Sequence, residues 1–350
     1  MSNDCAIPND LIAQKPCYDR QNIRLMVVHR DTGEIEHRKF SDLLSYFEKD
    51  DVIILNDSKF TKTILRGFKA KSKIAITVHL VRELDLEDFV WDTVIEPARK
   101  VRIGNHLYFG NGELIAEILD NTTSRGRIMK FLFNDSKDKL LNAIDKLGSY
   151  YYPKYIVYDE NDDFIEDYQC EFAKVPGSII APTEGIGIDE VMLTQFKIEG
   201  IKTIYMTAHL KKSYIKPLLN ITKYVNNENY SFQRKIINNE VVDLVNNTQQ
   251  SGHKVCAVGV QILKKLEANL NHNDSNYVCR MNKWINKLSE NNNQFKNTCD
   301  MLLTNFQYFD SYQMLETRNF GGNELIKRAY SEAIKNKYNF LMYGDGLLII

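Results

Sequence analysis

Leu107-Tyr108-Phe109-Gly110-Asn111-Gly112-Glu113-Leu114-Ile115-Ala116-Glu117-Ile118-Leu119 reads as two apolar strands hinged on an Asn-Gly turn. Asn-Gly tolerates the positive φ that a tight hairpin demands, so the pair marks where the chain reverses. Outward from this hairpin the same signal repeats. Ile74-Ala75-Ile76-Thr77-Val78 and the run Val90 to Ile95 precede it, and Ile128 to Phe133 follows it. Short strands at close spacing with turn residues between them predict a small barrel, and we place an inserted all-β, barrel-like module at 64–155.

On either side of the module the pattern differs. Ile23 to Val28 and Ile35 to Phe40 read as a hairpin turning at Asp31-Thr32-Gly33. Ser41 is expected to cap a short helix through Phe47, and Val52-Ile53-Ile54-Leu55 is a buried strand ending at Asn56-Asp57. After Asp159, amphipathic stretches at Ile188–Ile198, Phe232–Asn247 and Asn323–Lys337 alternate with apolar runs at Ile201–Met206, Val255–Val258 and Met301–Leu303. Alternation of that kind is an α/β signature, so 1–63 and 156–350 are read as one α/β main domain. Gly200 and Gly252 fall where a left-handed helix terminus is wanted. The Asn-rich stretch 269–298, with a short helix around Trp284, reads as a surface insertion.

The 350 residues carry 45 Lys and Arg against 46 Asp and Glu, a net charge of −1. That balance gives no global positive field, so any RNA contact has to be local. Cysteines at 5, 17, 170, 256, 279 and 299 contain no CxxC pair, and no metal site is expected. Scattered thiols, a charged N-terminal stretch and the lack of a membrane-length apolar run predict a soluble, cytoplasmic protein, expected as a monomer with no membrane partner. Walker A, GxGxxG and GxSxG patterns are absent.

Hydrogen-bonding residues do collect at strand ends: Asn56-Asp57-Ser58, the loop Val175 to Gly185 containing Pro176-Gly177-Ser178 and Ala181-Pro182-Thr183-Glu184-Gly185, then Thr207-Ala208-His209, Thr304-Asn305-Phe306 and Tyr343-Gly344-Asp345. Ligands of α/β sheets bind at the carboxyl ends of strands, which makes a shared cleft the functional reading; isolated turns are the bland one. Lys69, Lys71, Lys73, Lys211, Lys212 and Lys216 fit phosphate contacts or, slightly better, solvated faces. Tyr150-Tyr151-Tyr152 and Tyr155 fit packing better than base stacking.

In order and wording these segments resemble the S-adenosylmethionine:tRNA ribosyltransferase-isomerase family of queuosine biosynthesis. The resemblance rests on Leu11 to Pro16, Arg24-Leu25, Arg30-Asp31-Thr32-Gly33, His37-Arg38, Val52 to Asp57, Tyr168-Gln169, the Pro-Gly-Ser and Ala-Pro-Thr-x-Gly loop, Thr304-Asn305-Phe306 and Tyr343-Gly344-Asp345. It implies an α/β domain with an inserted β-barrel. It also implies an enzyme with tRNA and S-adenosylmethionine as partners, the latter as co-substrate, and no cofactor. The ribosyl part of S-adenosylmethionine is built as an epoxycyclopentanediol onto the 7-aminomethyl-7-deazaguanine base of the tRNA, with release of adenine and methionine. That chemistry requires proton removal beside a sulfonium and proton delivery to departing adenine.

The sequence departs from the family pattern at groups of that kind. Glu184 stands where the family has alanine, and Gly187 where it has histidine. Leu210-Lys211-Lys212-Ser213 replaces a Gly-rich turn, and Tyr224 to Asn229 replaces a His-x-Met-His-x-Glu segment. Gly259-Val260-Gln261-Ile262-Leu263-Lys264 replaces Gly-Thr-Thr-Ser-x-Arg, and Gln307 stands for a further histidine. His209 and Glu267 are therefore the expected proton carriers. Arg24, Asn56, Asp57, Ser178, Thr183, Gly185, Asn305 and Asp345 are the expected substrate-binding residues, with Asp57 and Asp345 orienting hydroxyl or amino groups and Ser178 and Thr183 meeting a purine. Two alternatives stay open: a catalytically impaired paralogue that binds RNA or protein, and an enzyme for a different nucleoside.

Overall fold

A computed structural model describes residues 6–17, 19–85, 87–123, 125–157, 168–210, 239–270 and 298–350. The chain divides into two compact units, Met1–Lys59 with Asn161–Val175 and Pro182–Ile350, and Phe60–Glu160 with Pro176–Ala181.

The first unit begins with the hairpin β1 (Arg24–Val28) and β2 (Ile35–Lys39), paired antiparallel from Arg24 opposite Lys39 to Val28 opposite Ile35. Gly33 takes the left-handed φ of 73° that the turn needs. A 3-10 turn at Phe40–Tyr46 follows. Ser41 is not its cap: the turn starts one residue earlier, and the Asp42 carboxylate accepts from the Lys39 backbone N–H at 3.1 Å. The Asp side chain is the better acceptor for an orphan N–H, which moves the start of the helix forward. β3 (Val52–Asn56) is buried along its whole length, and β4 (Ser58–Phe60) comes directly after it.

In the second unit, β5 (Ile64–Lys69), β6 (Ala75–Asp85), β7 (Val90–Glu96), β8 (His106–Phe109), β9 (Leu114–Asn121) and β10 (Gly126–Phe131) form a closed antiparallel barrel. Its strand order is β5-β6-β7-β10-β9-β8, and β8 returns to β5 with Gly67 opposite Phe109. Closure leaves no free edge strand, and alternation decides what fills the interior. Ile76, Val78 and Leu80 of β6 and Leu114, Ala116 and Ile118 of β9 point inward with period 2, joined by Ile95, Leu107, Phe109, Met129 and Phe131. Each fully buried large side chain contributes about 1.5–3 kcal/mol. The hairpin at Asn111-Gly112 forms as read, with φ of 58° and 100°. A helix, α1 (Lys137–Leu147), was not expected inside the β module; Leu140 and Ile144, one turn apart, bury its inner face in the barrel core. β11 (Gly148–Ser149) then adds to β5.

The remaining elements are β12 (Val175–Ser178), which pairs with β4, α2 (Glu190–Ile198), β13 (Lys202–Met206), α3 (Asn239–Gln250), β14 (Val255–Val258), α4 (Val260–Leu270), β15 (Met301–Asn305), α5 (Tyr312–Gly321), α6 (Asn323–Lys335) and β16 (Gly346–Ile349). The large mixed sheet has the order β13-β3-β14-β15-β16-β1-β2. β13, β3, β14 and β15 run parallel, and β16 runs antiparallel to β15. β3, β14, β15 and β16 are buried at every position, as strands sandwiched between helical layers must be. Gly200 and Gly252 end α2 and α3 at φ of 75° and 79°. Of the helix expected at Phe232–Asn247, the described part forms within α3, while its residues 232–238, the segment Tyr224–Asn229, residues 271–297 of the Asn-rich stretch 269–298, and Lys211, Lys212 and Lys216 lie outside the described residues.

Candidate active site

The sheet register defines one end of the α/β unit. Met206 stands opposite Asn56 in β13 and β3, Asn305 opposite Gly346 in β15 and β16, and Gly346 opposite Leu25 in β16 and β1. Since β16 reverses direction, the carboxyl ends of β13, β3, β14 and β15 share this end with the amino ends of β16 and β1. Arg24, Asn56, Asp57, His209, Asn305 and Asp345 therefore line the same end of the sheet. At a strand spacing of about 4.8 Å, β3 and β16 stand about 14 Å apart along it.

Around β3 and β13 the groups are tied to each other. The Asn56 amide Nδ2 donates to Ala208 O at 2.9 Å, and its Oδ1 accepts from Ala208 N at 3.0 Å and Ser58 N at 3.2 Å. Asn56 thus fixes the strand exit on which His209 sits. Asp57 Oδ1 accepts from Thr207 Oγ1 at 2.6 Å. The buried Ser58 hydroxyl lies 2.6 Å from His209 Nδ1, which fixes the orientation of the imidazole. Ser58 was read in the strand-end segment Asn56-Asp57-Ser58 but was not placed among the expected site residues. The signal was its place directly after Asn56-Asp57.

In the middle of the sheet, Asn305 Nδ2 donates to Thr183 Oγ1 at 2.9 Å, both residues being buried. Glu267 lies on α4, where Lys264 Nζ is 3.1 Å from Glu267 Oε2 and 3.1 Å from Glu316 Oε1 on α5. Burial raises the Glu267 carboxyl above its ordinary range; Lys264 offsets part of this, and Glu316 adds to it. One lysine shared by two carboxylates makes it easier for Glu267 to hold a proton, as a general acid must. Lys265, on the same helix, donates to Thr207 O at 2.8 Å, connecting α4 to the His209 strand exit.

At the far side, Asp345 accepts from Arg24 N at 3.0 Å, Arg24 Nη2 at 3.1 Å and Asn339 N at 2.7 Å. Arg24 also donates to the carbonyls of Asn336 and Lys337 and lies 4.1 Å over the Tyr338 ring. These partners bind the start of β1 to the C-terminal segment. Ser178 falls in the barrel unit, where its carbonyl accepts from Thr61 N at 3.0 Å. Gly185 is a packing glycine, because a Cβ there would stand 2.7 Å from Phe172 Cζ. At Gly187 a Cβ would meet the Phe40 ring at 2.4 Å, so a side chain does not fit against this packing. Gln307 is clamped through its backbone, its N–H donating to Tyr330 Oη at 2.8 Å.

In the barrel unit, Lys69 donates to Lys100 O at 3.1 Å, Lys73 lies 4.2 Å over Phe68, and Tyr150 stacks on Phe60 at 4.6 Å, so these residues pack locally. Among the described residues no cluster of histidine, cysteine and carboxylate side chains is arranged to hold a metal, and no helix is long and apolar enough to cross a membrane.

The family described as "Queuosine biosynthesis protein" matches residues 2–349. An S-adenosylmethionine:tRNA ribosyltransferase-isomerase from Amoebophilus asiaticus is 38% identical over 347 residues, covering 98% of this chain and 97% of that protein. The protein of the same name from Parabacteroides distasonis is also 38% identical with the same coverage, and that from Flavobacterium psychrophilum is 37% identical over 346 residues. A solved S-adenosylmethionine tRNA ribosyltransferase structure from Thermotoga maritima aligns over 98% of each chain at 23% identity, with a TM-score of 0.47. With a match from residue 2 to residue 349 and relatives near 38% identity over almost its whole length, the chain belongs to the queuosine biosynthesis protein family.

Proposed function

We propose that this chain is an S-adenosylmethionine:tRNA ribosyltransferase-isomerase, transferring and isomerising the ribosyl moiety of S-adenosylmethionine onto the 7-aminomethyl-7-deazaguanine base of tRNA. The observation that carries the reading is full-length similarity, at 38% identity, to proteins that bear this name. In this reading S-adenosylmethionine is a co-substrate, no metal takes part, and the protein works as a cytoplasmic monomer.

His209, held against the Ser58 hydroxyl, takes up a proton. Glu267, its carboxyl raised by burial, supplies one. Each such group is worth about 10²–10⁴-fold in rate. Thr183 and Asn305 meet the substrate from the middle of the sheet end, Asn56 and Asp57 hold the His209 strand exit in register, and the Arg24–Asp345 pair closes the far side. Gly185 remains in the proposed binding set as part of the loop that carries Thr183.

The test is incubation of the purified protein with S-adenosylmethionine and a tRNA carrying the 7-aminomethyl-7-deazaguanine base. Adenine release in step with the nucleoside mass gain is the expected result. No turnover, together with no calorimetric S-adenosylmethionine binding, would replace this reading with the impaired paralogue.

A further inference from the structure

A second polar cluster lies at the same end of the α/β unit, where β14 passes through Gly259 into the 11-residue helix α4. Gly259 has φ of 92°, a conformation that favours glycine at this strand-to-helix turn. The point a Cβ would occupy is 3.3 Å from Gln261 Oε1, 3.4 Å from Glu184 Cδ and 3.6 Å from Glu184 Oε1. Glu184 and Gln261 are far apart in sequence yet converge on one spot.

Neither side chain is accounted for by the fold. Gln261 is 4% exposed, and among the described residues neither its Nε2 nor its Oε1 has a hydrogen-bond partner. A buried amide left unpaired costs about 1–3 kcal/mol for each group, so a protein retains one where something else completes it. Glu184 is equally buried and has no ion pair among the described residues. Burial pushes its carboxyl up to about 7, offset in part by a hydrogen bond with its own backbone N–H. The titratable group facing it is the Cys170 thiol, which burial pushes up to about 12 and which donates to Pro182 O at 3.1 Å, so it adds no charge near neutrality.

A carboxamide and a carboxylic acid side by side over a glycine present a donor and an acceptor together with a second donor. That set complements the edge of a purine bearing an exocyclic amine beside a ring nitrogen, the pairing by which glutamine reads adenine. We propose that Gln261 and protonated Glu184 recognise the adenine edge of S-adenosylmethionine over Gly259, making this pair the specificity-determining contact for the purine. The proposal rests on the function given above and names its purine subsite.

The test compares calorimetric binding of S-adenosylhomocysteine with that of its inosine counterpart, whose exocyclic amine is an oxo group, on the full chain. Wild-type protein is expected to prefer the adenine compound by about 10-fold or more, and Gln261→Leu to lose that preference. Should Gln261→Leu fail to fold, Glu184→Gln serves instead. Wild-type affinity should fall as pH rises through about 7, while Glu184→Gln should stay flat. An equal preference in Gln261→Leu and wild type, or no preference in wild type, overturns the proposal. If adenine is still released from S-adenosylmethionine in that case, the function stands without this subsite. A Gln261-dependent preference without turnover supports the subsite and removes the function.

Discussion

Arg127 in the barrel and the Gln261–Glu184 cluster in the α/β unit are buried polar groups handled in opposite ways. Arg127 lies inside the barrel wall with its guanidinium donating to the carbonyls of Gly126 at 2.8 Å, Ala98 at 2.9 Å, Val101 at 3.2 and 3.3 Å and Thr123 at 3.4 Å. Thr93, fully buried, donates to Arg127 O at 2.9 Å. That cation is spent on holding a loop. In the α/β unit, among the described residues, Gln261 has both amide atoms unpaired, Glu184 stands without a counter-ion, and Lys264 serves two carboxylates at once. Satisfied polar groups stabilise a fold, whereas unsatisfied ones at a strand end are what a ligand can complete.

Four substitutions test this contrast. His209→Asn should lower adenine release about 10²–10⁴-fold with the thermal unfolding temperature unchanged, because the amide keeps a hydrogen bond to Ser58 and cannot transfer a proton near neutral pH. Retention of the parent rate would remove His209 from the chemistry. Arg127→Met should destabilise the barrel by about 3–4 kcal/mol, since the carbonyls of Ala98, Val101, Thr123 and Gly126 lose their donor together. A change below roughly 1 kcal/mol in a denaturant titration would show that this cation is dispensable.

Glu184→Gln probes the α/β unit through pH. The folded state holds the Glu184 proton more tightly than the unfolded chain does, so this group's contribution to stability falls as pH rises from about 4.5 to about 7 and is level above that. The variant should lack that slope and be more stable at pH 8 by at most about 3 kcal/mol. A variant with the same pH profile as the parent would mean that Glu184 ionises freely. The smallest effect is expected at the exposed pair of Lys139 on α1 and Asp135 just before it, 2.7 Å apart, where Lys139→Ala should cost less than about 0.5 kcal/mol in the same titration.

The architecture was legible wherever local chemistry decides. Asn111-Gly112 can only turn, alternation through Leu114, Ala116 and Ile118 can only face one side of a strand, and the unbroken apolar run in β3 needs cover on both faces. Leu140 and Ile144 carried a helical signal that the neighbouring strands masked. Asn56, His209, Asn305 and Asp345 could be chosen as strand-end residues. Their partners could not, since Ser58 with His209 and Asn305 with Thr183 are contacts between distant segments.

By itself, then, the sequence determined the family, the two kinds of sheet and the positions at which reactive residues changed. Glu184, Gln261 and Lys264 read there as three separate departures from a pattern. Only the tertiary structure decided that Glu184 and Gln261 meet over Gly259 and that Lys264 bridges Glu267 and Glu316. The physical reason is that strand and helix formation depend on neighbours along the chain, whereas the state of a buried carboxyl or amide depends on which groups the packed sheet brings within hydrogen-bonding distance.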